Sequence, residues 1–124
     1  MTVKKRGKKK EQVPEKIRTS STVGALKRAF ADNLFYVQGR SGSIATVNDL
    51  YMALSYTVRD HMLNRFIQTF HQYIRNVTAN KELKTVAYLS AEFLLGPHLE
   101  NNLINLHIVD EVRRALAELD FDLD

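Results

Sequence analysis

A long stretch of helix-forming residues, 47–77, most constrains how this chain can fold. It contains no glycine or proline, and Thr46 with Asp49 three positions later is a typical pair for the start of a helix. At about 1.5 Å per residue, the predicted helix spans roughly 46 Å. Its apolar positions recur every three or four residues: Val47, Tyr51, Leu54, Val58, Met62, Phe66, Phe70 and Tyr73, with a second set at Leu63, Ile67 and Ile74. This apolar surface is wider than a coiled-coil seam, so we expect it to need a partner surface larger than the rest of the chain can supply.

Shorter helices are predicted on both sides of this segment. Leu26, Phe30 and Leu34 recur at intervals of four, which predicts a helix with Thr22 as its N-cap. Two glycines and two serines within 38–43 predict a connecting loop. Pro97 suits the start of a third helix, and a fourth helix is expected from about Ile108, packing through Val109, Val112, Leu116 and Leu119.

One segment has the composition of a buried strand. Residues Thr85–Leu89 form a short apolar run rich in strand-forming side chains. A single strand cannot satisfy its own backbone hydrogen-bonding groups, so its partners must lie outside these residues. We therefore predict the α/β class: a mostly helical piece of a larger domain with one long helix and one orphan strand.

The positive charge of the chain is concentrated at its N-terminus. Residues 1–18 carry eight Lys or Arg and two Glu, a net charge of +6, whereas residues 19–124 carry ten Lys or Arg and twelve Asp or Glu, a net charge of −2. We expect residues 1–21 to be a disordered basic tail and residues 22–124 to be part of one incomplete domain. Basic tails also occur in proteins that bind nucleic acid or membranes, with affinity that falls steeply with salt. We expect neither partner here.

The composition also excludes several kinds of chemistry. The chain has no cysteine, which excludes a disulfide scaffold and a cysteine nucleophile. The four histidines do not have the spacing of a helical zinc motif, so we expect no metal. Arg59, Asp60 and His61 are consecutive on a helix, where successive side chains diverge by about 100°. A structural role for these three residues is therefore favoured over a catalytic one.

Glu92 is the candidate site residue. It follows the predicted strand, and active sites of α/β folds gather at the carboxyl ends of strands. Its neighbours Ala91, Phe93 and Leu94 are apolar, and a carboxylate in such surroundings needs hydrogen bonds, a counter-charge or a ligand. A glutamate that only bonds backbone amides at a helix start is the structural alternative.

The segment from Val86 to Leu106 closely resembles the N-terminal region of the α-glucan (glycogen or starch) phosphorylases. Its most specific parts are Tyr-Leu-Ser-x-Glu-Phe, residues 88–93, and Asn-Asn-Leu-x-Asn-Leu, residues 101–106. The resemblance extends back through Thr57–His61 and residues 45–54 to the first helix, and so covers roughly residues 22–124. Gly96-Pro97-His98 is similar to the form found in bacterial members.

The resemblance implies a cytoplasmic homodimer of two-domain subunits with the glycosyltransferase-B fold. Such enzymes of carbohydrate metabolism use inorganic phosphate and pyridoxal phosphate to release glucose 1-phosphate from α-1,4-glucan ends. It also implies that Glu92 organises the site through hydrogen bonds and that the loop from about Gln38 to Ile44 contributes to the dimer interface. The lysine that holds pyridoxal phosphate in the family has no counterpart in this chain, so we expect the chain alone to be inactive.

Some positions depart from the family pattern. Animal members bind an activating nucleotide through side chains whose matching positions here are Phe66, Phe70 and Ile74, so we expect no such allosteric activation. His107 stands where many relatives have glycine between two helices. The alternative to a phosphorylase segment is a non-catalytic helical interaction module that associates with an intact subunit.

Overall fold

The structure, a computed structural model, describes residues 16–79, 84, 86, 89 and 96–123. A 3-10 helix, Lys16–Thr19, lies within the segment expected to be a tail. Helix α1, Val23–Asp32, begins at Thr22, whose side chain accepts a hydrogen bond from the backbone N–H of Ala25. The predicted N-cap is thus confirmed. The chain then continues into a π-helical segment, Asn33–Val37.

Helix α2, Val47–Thr78, confirms the long helix predicted from the sequence. Thr46 and Asp49 form a reciprocal capping box: the Thr46 hydroxyl accepts from the Asp49 N–H, and the Asp49 carboxylate accepts from the Thr46 N–H at 2.9 Å. These bonds satisfy two backbone donors that a helix start otherwise leaves unpaired. The helix therefore begins where the sequence predicts.

Two short helices complete the described elements. Helix α3, His98–Leu106, and helix α4, Val109–Ala117, are separated by His107, which adopts the left-handed conformation with φ 58° and ψ 44°. The left-handed residue ends α3 and turns the chain sharply into α4. Helix α4 is shorter than predicted, although Leu119 still packs against the core.

The core lies between α1, the first half of α2, α3 and α4. Helix α1 packs on α4 and α2, and α3 packs on α2 and α4. The buried residues come from each of these helices, from the π-helical segment (Leu34) and from the N-cap of α4 (Ile108). Those within the four helices are Leu26, Phe30, Ala53, Leu54, Val58, Leu103, Leu106, Val112, Ala115 and Leu116. The second half of α2 extends beyond this small bundle, and its large apolar side chains from Met62 onward are exposed.

The described residues include no strand, and the predicted orphan strand over 85–89 is not observed. Val86 and Leu89 lie outside regular structure and are 91% and 93% exposed, while residues 85, 87 and 88 lie outside the described residues. A strand forms only where another strand accepts its backbone hydrogen bonds. None of the described residues offers such an edge, so the observed part of the expected α/β fold is wholly helical.

Candidate functional site

The candidate site residue Glu92 lies outside the described residues, as do Ser90 and the other positions up to Leu95. The structure describes the chain again from Gly96, which has a φ of 149°. L-residues rarely adopt this backbone conformation, so glycine is suited to this position. Pro97 then precedes α3, which carries Asn101 and the rest of the second family motif.

A groove of about 880 Å³ opens beside the start of α3. Its walls come from α1, the first two turns of α2, both short helices and the segment after α4, and they include Phe30, Tyr51, Leu99 and Phe121. Phe30 and Phe121 pack with ring centroids 5.9 Å apart. His98, Glu100 and Asp120 contribute polar groups to the lining. Arg113 and Asp122 also line the groove, so its walls are mixed in character and do not select one class of ligand.

Pyridoxal phosphate does not fit the described residues. The cofactor needs a lysine and a set of phosphate-binding groups, and no lysine lines the groove. Lys27 is on the surface, where its ammonium group pairs with Glu118 at 2.8 Å. No step of a reaction can therefore be assigned to the described part of the chain through this cofactor.

A polar cluster joins the N-terminal 3-10 helix to α2. The Arg18 guanidinium donates to Asp60 Oδ2 and to Asn33 Oδ1, both at 2.8 Å. Asn33 Nδ2 in turn donates to Thr57 Oγ1 at 3.0 Å, and the Thr57 hydroxyl donates to the backbone carbonyl of Ala53 at 2.9 Å. Asn33 and Thr57 are fully buried, so the bonds that these two side chains make satisfy polar groups that water cannot reach.

The cluster gives the 3-10 helix a defined attachment. Arg18 spans from Asp60 on α2 to the first residue of the π-helical segment. Asp60 also accepts from Arg59 at 3.1 Å, and the Arg59 guanidinium lies 4.5 Å from the ring centroid of Tyr56. Two cations thus share one carboxylate. Through these bonds Arg18 attaches the 3-10 helix to α2, and we call this attachment the anchor at Arg18.

Arg59 and Asp60 pair with each other, whereas His61 points away from both into the core. Arg59 is exposed, Asp60 pairs with two arginines, and His61 is buried with no hydrogen-bond partner for Nε2 among the described residues. Burial lowers the pKa of His61, and the positive charge of Arg65 acts in the same direction against the opposing effect of Asp60. The three side chains do not converge on a common point.

The roles of Arg18 and Asn33 were not predicted from the sequence. The two residues are separated by 15 positions, and Arg18 and Asp60 by 42. No short-range sequence pattern links these residues. Asn33 in particular looks like any other polar residue of an amphipathic helix. Only the crossing of α1 and α2 brings these groups together.

Two further properties concern the described residues alone. They contain no group of three or more His, Asp or Glu side chains placed to hold a metal ion. None of the helices they form is long and apolar enough to cross a membrane.

Comparison with known proteins identifies the family. No protein-family model matches the chain. Over 107 residues, or 86% of its length, the chain is 53% identical to glycogen phosphorylase of the cyanobacterium Synechocystis sp. PCC 6803. It is 38% identical over 103 residues to glycogen phosphorylase of Chlamydia pneumoniae. The chain belongs to the glycogen phosphorylase family. It is also 36% identical over 102 residues to the liver form of human glycogen phosphorylase.

The matched region is a small part of these phosphorylases. The chain spans about 12% of the length of each of the three relatives. It is therefore a segment by comparison with them, in agreement with the family predicted from residues 86–106.

Proposed function

We propose that this chain forms the N-terminal part of an α-glucan phosphorylase subunit. The intact enzyme would transfer glucose from α-1,4-glucan ends to inorganic phosphate and release glucose 1-phosphate. The observation that carries this proposal is the identity of 53% with a glycogen phosphorylase over 86% of the chain. Relatedness at that level supports an enzyme segment over a non-catalytic helical module.

Within such a subunit, this segment would contribute to the folded scaffold rather than supply the groups that carry out the reaction. The glycosyltransferase-B fold and pyridoxal phosphate belong to the whole enzyme, and the described residues supply neither a sheet nor a cofactor lysine. We infer that Glu92 is a positioning residue beside the catalytic pocket and acts through hydrogen bonds. The motif Tyr-Leu-Ser-x-Glu-Phe around Glu92 supports this assignment.

We also propose that the intact enzyme is a cytoplasmic homodimer. The connection between α1 and α2, which consists of the π-helical segment and the loop from about Gln38 to Ile44, would lie at the subunit interface. Phe35, Tyr36 and Ile44 support this placement because all three are more than half exposed. Phe35 and Tyr36 pack edge to face with ring centroids 5.0 Å apart. Exposed aromatic pairs of this kind are typical of the core of protein interfaces.

A chimera tests the proposed function. Residues 22–124 would replace the matching segment of the Synechocystis phosphorylase, and glucose 1-phosphate release from glycogen would be measured at saturating phosphate. We expect an active enzyme, since the proposed function requires the segment to make equivalent contacts in both proteins. An inactive but folded chimera contradicts the proposal.

The same chimera tests Glu92. The Glu92→Gln variant keeps the size of the side chain and removes its charge, so we expect a lower kcat with little change in the KM for glycogen. Glu100→Gln, at an exposed position of α3, is the matched control and should retain activity. Equal activity of the two variants argues against a positioning role for Glu92.

A further inference from the structure

Asp60 and Asn33 present two oxygen acceptors to one arginine. Arg18 donates from Nε to Asp60 Oδ2 and from Nη2 to Asn33 Oδ1, each at 2.8 Å. The two acceptors come from different elements, since Asp60 lies on α2 and Asn33 is the first residue of the π-helical segment. A guanidinium group carries several N–H donors in a fixed plane, which suits it to two separate acceptors.

Other bonds hold both acceptors in place. Asn33 has no solvent exposure, and its Nδ2 donates to Thr57 Oγ1 at 3.0 Å, so its Oδ1 remains as an acceptor. The second carboxylate oxygen of Asp60, Oδ1, accepts from Arg59 at 3.1 Å. The Arg59 guanidinium in turn lies 4.5 Å from the centre of the Tyr56 ring. Contacts outside the 3-10 helix therefore fix the two acceptors, and the pair should persist when that helix is withdrawn.

The pair of acceptors is open to solvent on the side from which Arg18 enters. The Arg18 side chain is 56% exposed, whereas that of Asp60 is 14% exposed. Of the described side chains in the 3-10 helix, those of Arg18 and Thr19, only Arg18 forms hydrogen bonds to the bundle. Withdrawal of Arg18 would leave the buried oxygen of Asn33 unpaired, which favours a replacement donor at the same place.

We propose that Asp60 and Asn33 form a guanidinium-binding site, which Arg18 fills from the same chain and which an arginine side chain of another protein fills when Arg18 is withdrawn. The charge of Asp60 attracts the cation, and the neutral oxygen of Asn33 adds a directional bond. A lysine is a poorer ligand, because its single ammonium nitrogen cannot place two separate donor nitrogens opposite the two oxygens. Linkage favours Arg18, since attachment to the same chain gives it an effective concentration in roughly the millimolar range.

Chemical rescue of the Arg18→Ala chain tests the proposal. The probe is N-acetyl-arginine amide, titrated at constant ionic strength while thermal unfolding is followed by circular dichroism. We expect a saturable rise in the melting temperature of the variant, on the order of 5 °C at about ten times the Kd. N-acetyl-lysine amide should give a much smaller rise. The parent chain should respond little to either compound, because Arg18 already fills the site.

Two further variants locate the response. Arg18→Ala combined with Asp60→Asn removes the charge of the site and should abolish the rise. Arg28→Ala, at an exposed position of α1, leaves the site filled and should respond as little as the parent chain. The proposal is overturned by equal responses to the arginine and lysine compounds, by a response that survives Asp60→Asn, or by no response at all.

The test stays decisive if the Arg18→Ala chain does not fold. The variant would then be refolded with each compound: recovery with the arginine compound alone supports the site, and no recovery contradicts it. Sedimentation of the parent chain in dilute solution checks that Arg18 acts within its own chain, and we expect no dimer that depends on Arg18. A dimer that Arg18→Ala dissociates would mean that a second copy supplies the arginine, which contradicts the proposal.

Discussion

Arg18 and Asn33 are joined by a hydrogen bond of 2.8 Å from the guanidinium Nη2 to an amide oxygen on a side chain with no solvent exposure. This bond links the 3-10 helix to the π-helical segment that follows α1. It completes the pairing of Asn33, whose amide nitrogen is already bonded to Thr57. The attachment of the N-terminal segment and the polar interior of the bundle are therefore one structural unit.

Replacing Arg18 should leave the buried oxygen of Asn33 without a donor. We expect Arg18→Ala to lower the free energy of unfolding by about 1–3 kcal/mol, the usual cost of an unpaired buried polar group. Urea unfolding of the purified chain in dilute solution, followed by circular dichroism, measures this change. Arg28→Ala, at an exposed position of α1, removes the same charge and should have little effect. A similar loss in both variants would show that the charge matters and the hydrogen bond does not.

His61 should make the fold sensitive to mild acid. Its folded-state pKa lies below the ordinary value of 6.5, so the unfolded chain binds the proton more readily. The contribution of neutral His61 is complete above about pH 6.5 and is lost as the pH falls from there toward the lower pKa of the folded state.

Substitution of His61 should reduce this acid sensitivity. We expect the unfolding free energy of His61→Gln to fall less between about pH 7.5 and about pH 5.5 than that of the parent chain. His71→Gln is the matched control, since His71 is exposed on the same helix. If the parent and His61→Gln lose the same stability over this range, His61 is not the responsible group.

His107→Gly should stabilise the fold. His107 has φ 58° and ψ 44°, a conformation that glycine reaches without the steric cost that other residues meet, about 1 kcal/mol. The substitution should raise the urea midpoint. His107→Ala retains the Cβ atom and should show no such gain. An unchanged or lower midpoint for the glycine variant would mean that the His107 side chain makes a compensating contact.

The capping box at the start of α2 is the fourth site to test. Thr46→Ala removes the acceptor for the Asp49 N–H, and the loss of an N-cap typically costs about 1 kcal/mol. Thr46→Ser keeps the hydroxyl group and should retain most of the stability.

Hydrogen bonds from Thr46, first from its backbone N–H, lower the pKa of Asp49 below 3.8. The stabilisation by Asp49 should therefore hold above about pH 4 and weaken as the pH falls further.

Local sequence patterns predicted the helices. They could not predict that the N-terminal 3-10 helix is attached to α2 through Arg18. Thr46 with Asp49 and the absence of glycine or proline after them gave the correct start of α2 because capping depends on neighbouring residues. The left-handed conformation at His107 is likewise a local property of a helix end. By contrast, the anchor at Arg18 depends on two residues far along the chain, and periodicity carries no information about such pairs.

The strand predicted over residues 85–89 is not observed among the described residues, for a related reason. Composition at residues 85–89 favours a strand, but a strand is a property of a sheet, and the described residues include no second strand for it to join. The site prediction at Glu92 remains a prediction, since that residue lies outside the described part of the chain. The family was predicted from two spaced motifs because their combination is more specific than any single element.

The most direct test of the account is the rate at which the chimera releases glucose 1-phosphate from glycogen. We predict a rate within about tenfold of the parent Synechocystis phosphorylase, a difference of at most about 1.4 kcal/mol in the activation barrier. A folded chimera that binds pyridoxal phosphate but releases no glucose 1-phosphate would contradict the account, because this segment could then not serve as part of a working phosphorylase subunit.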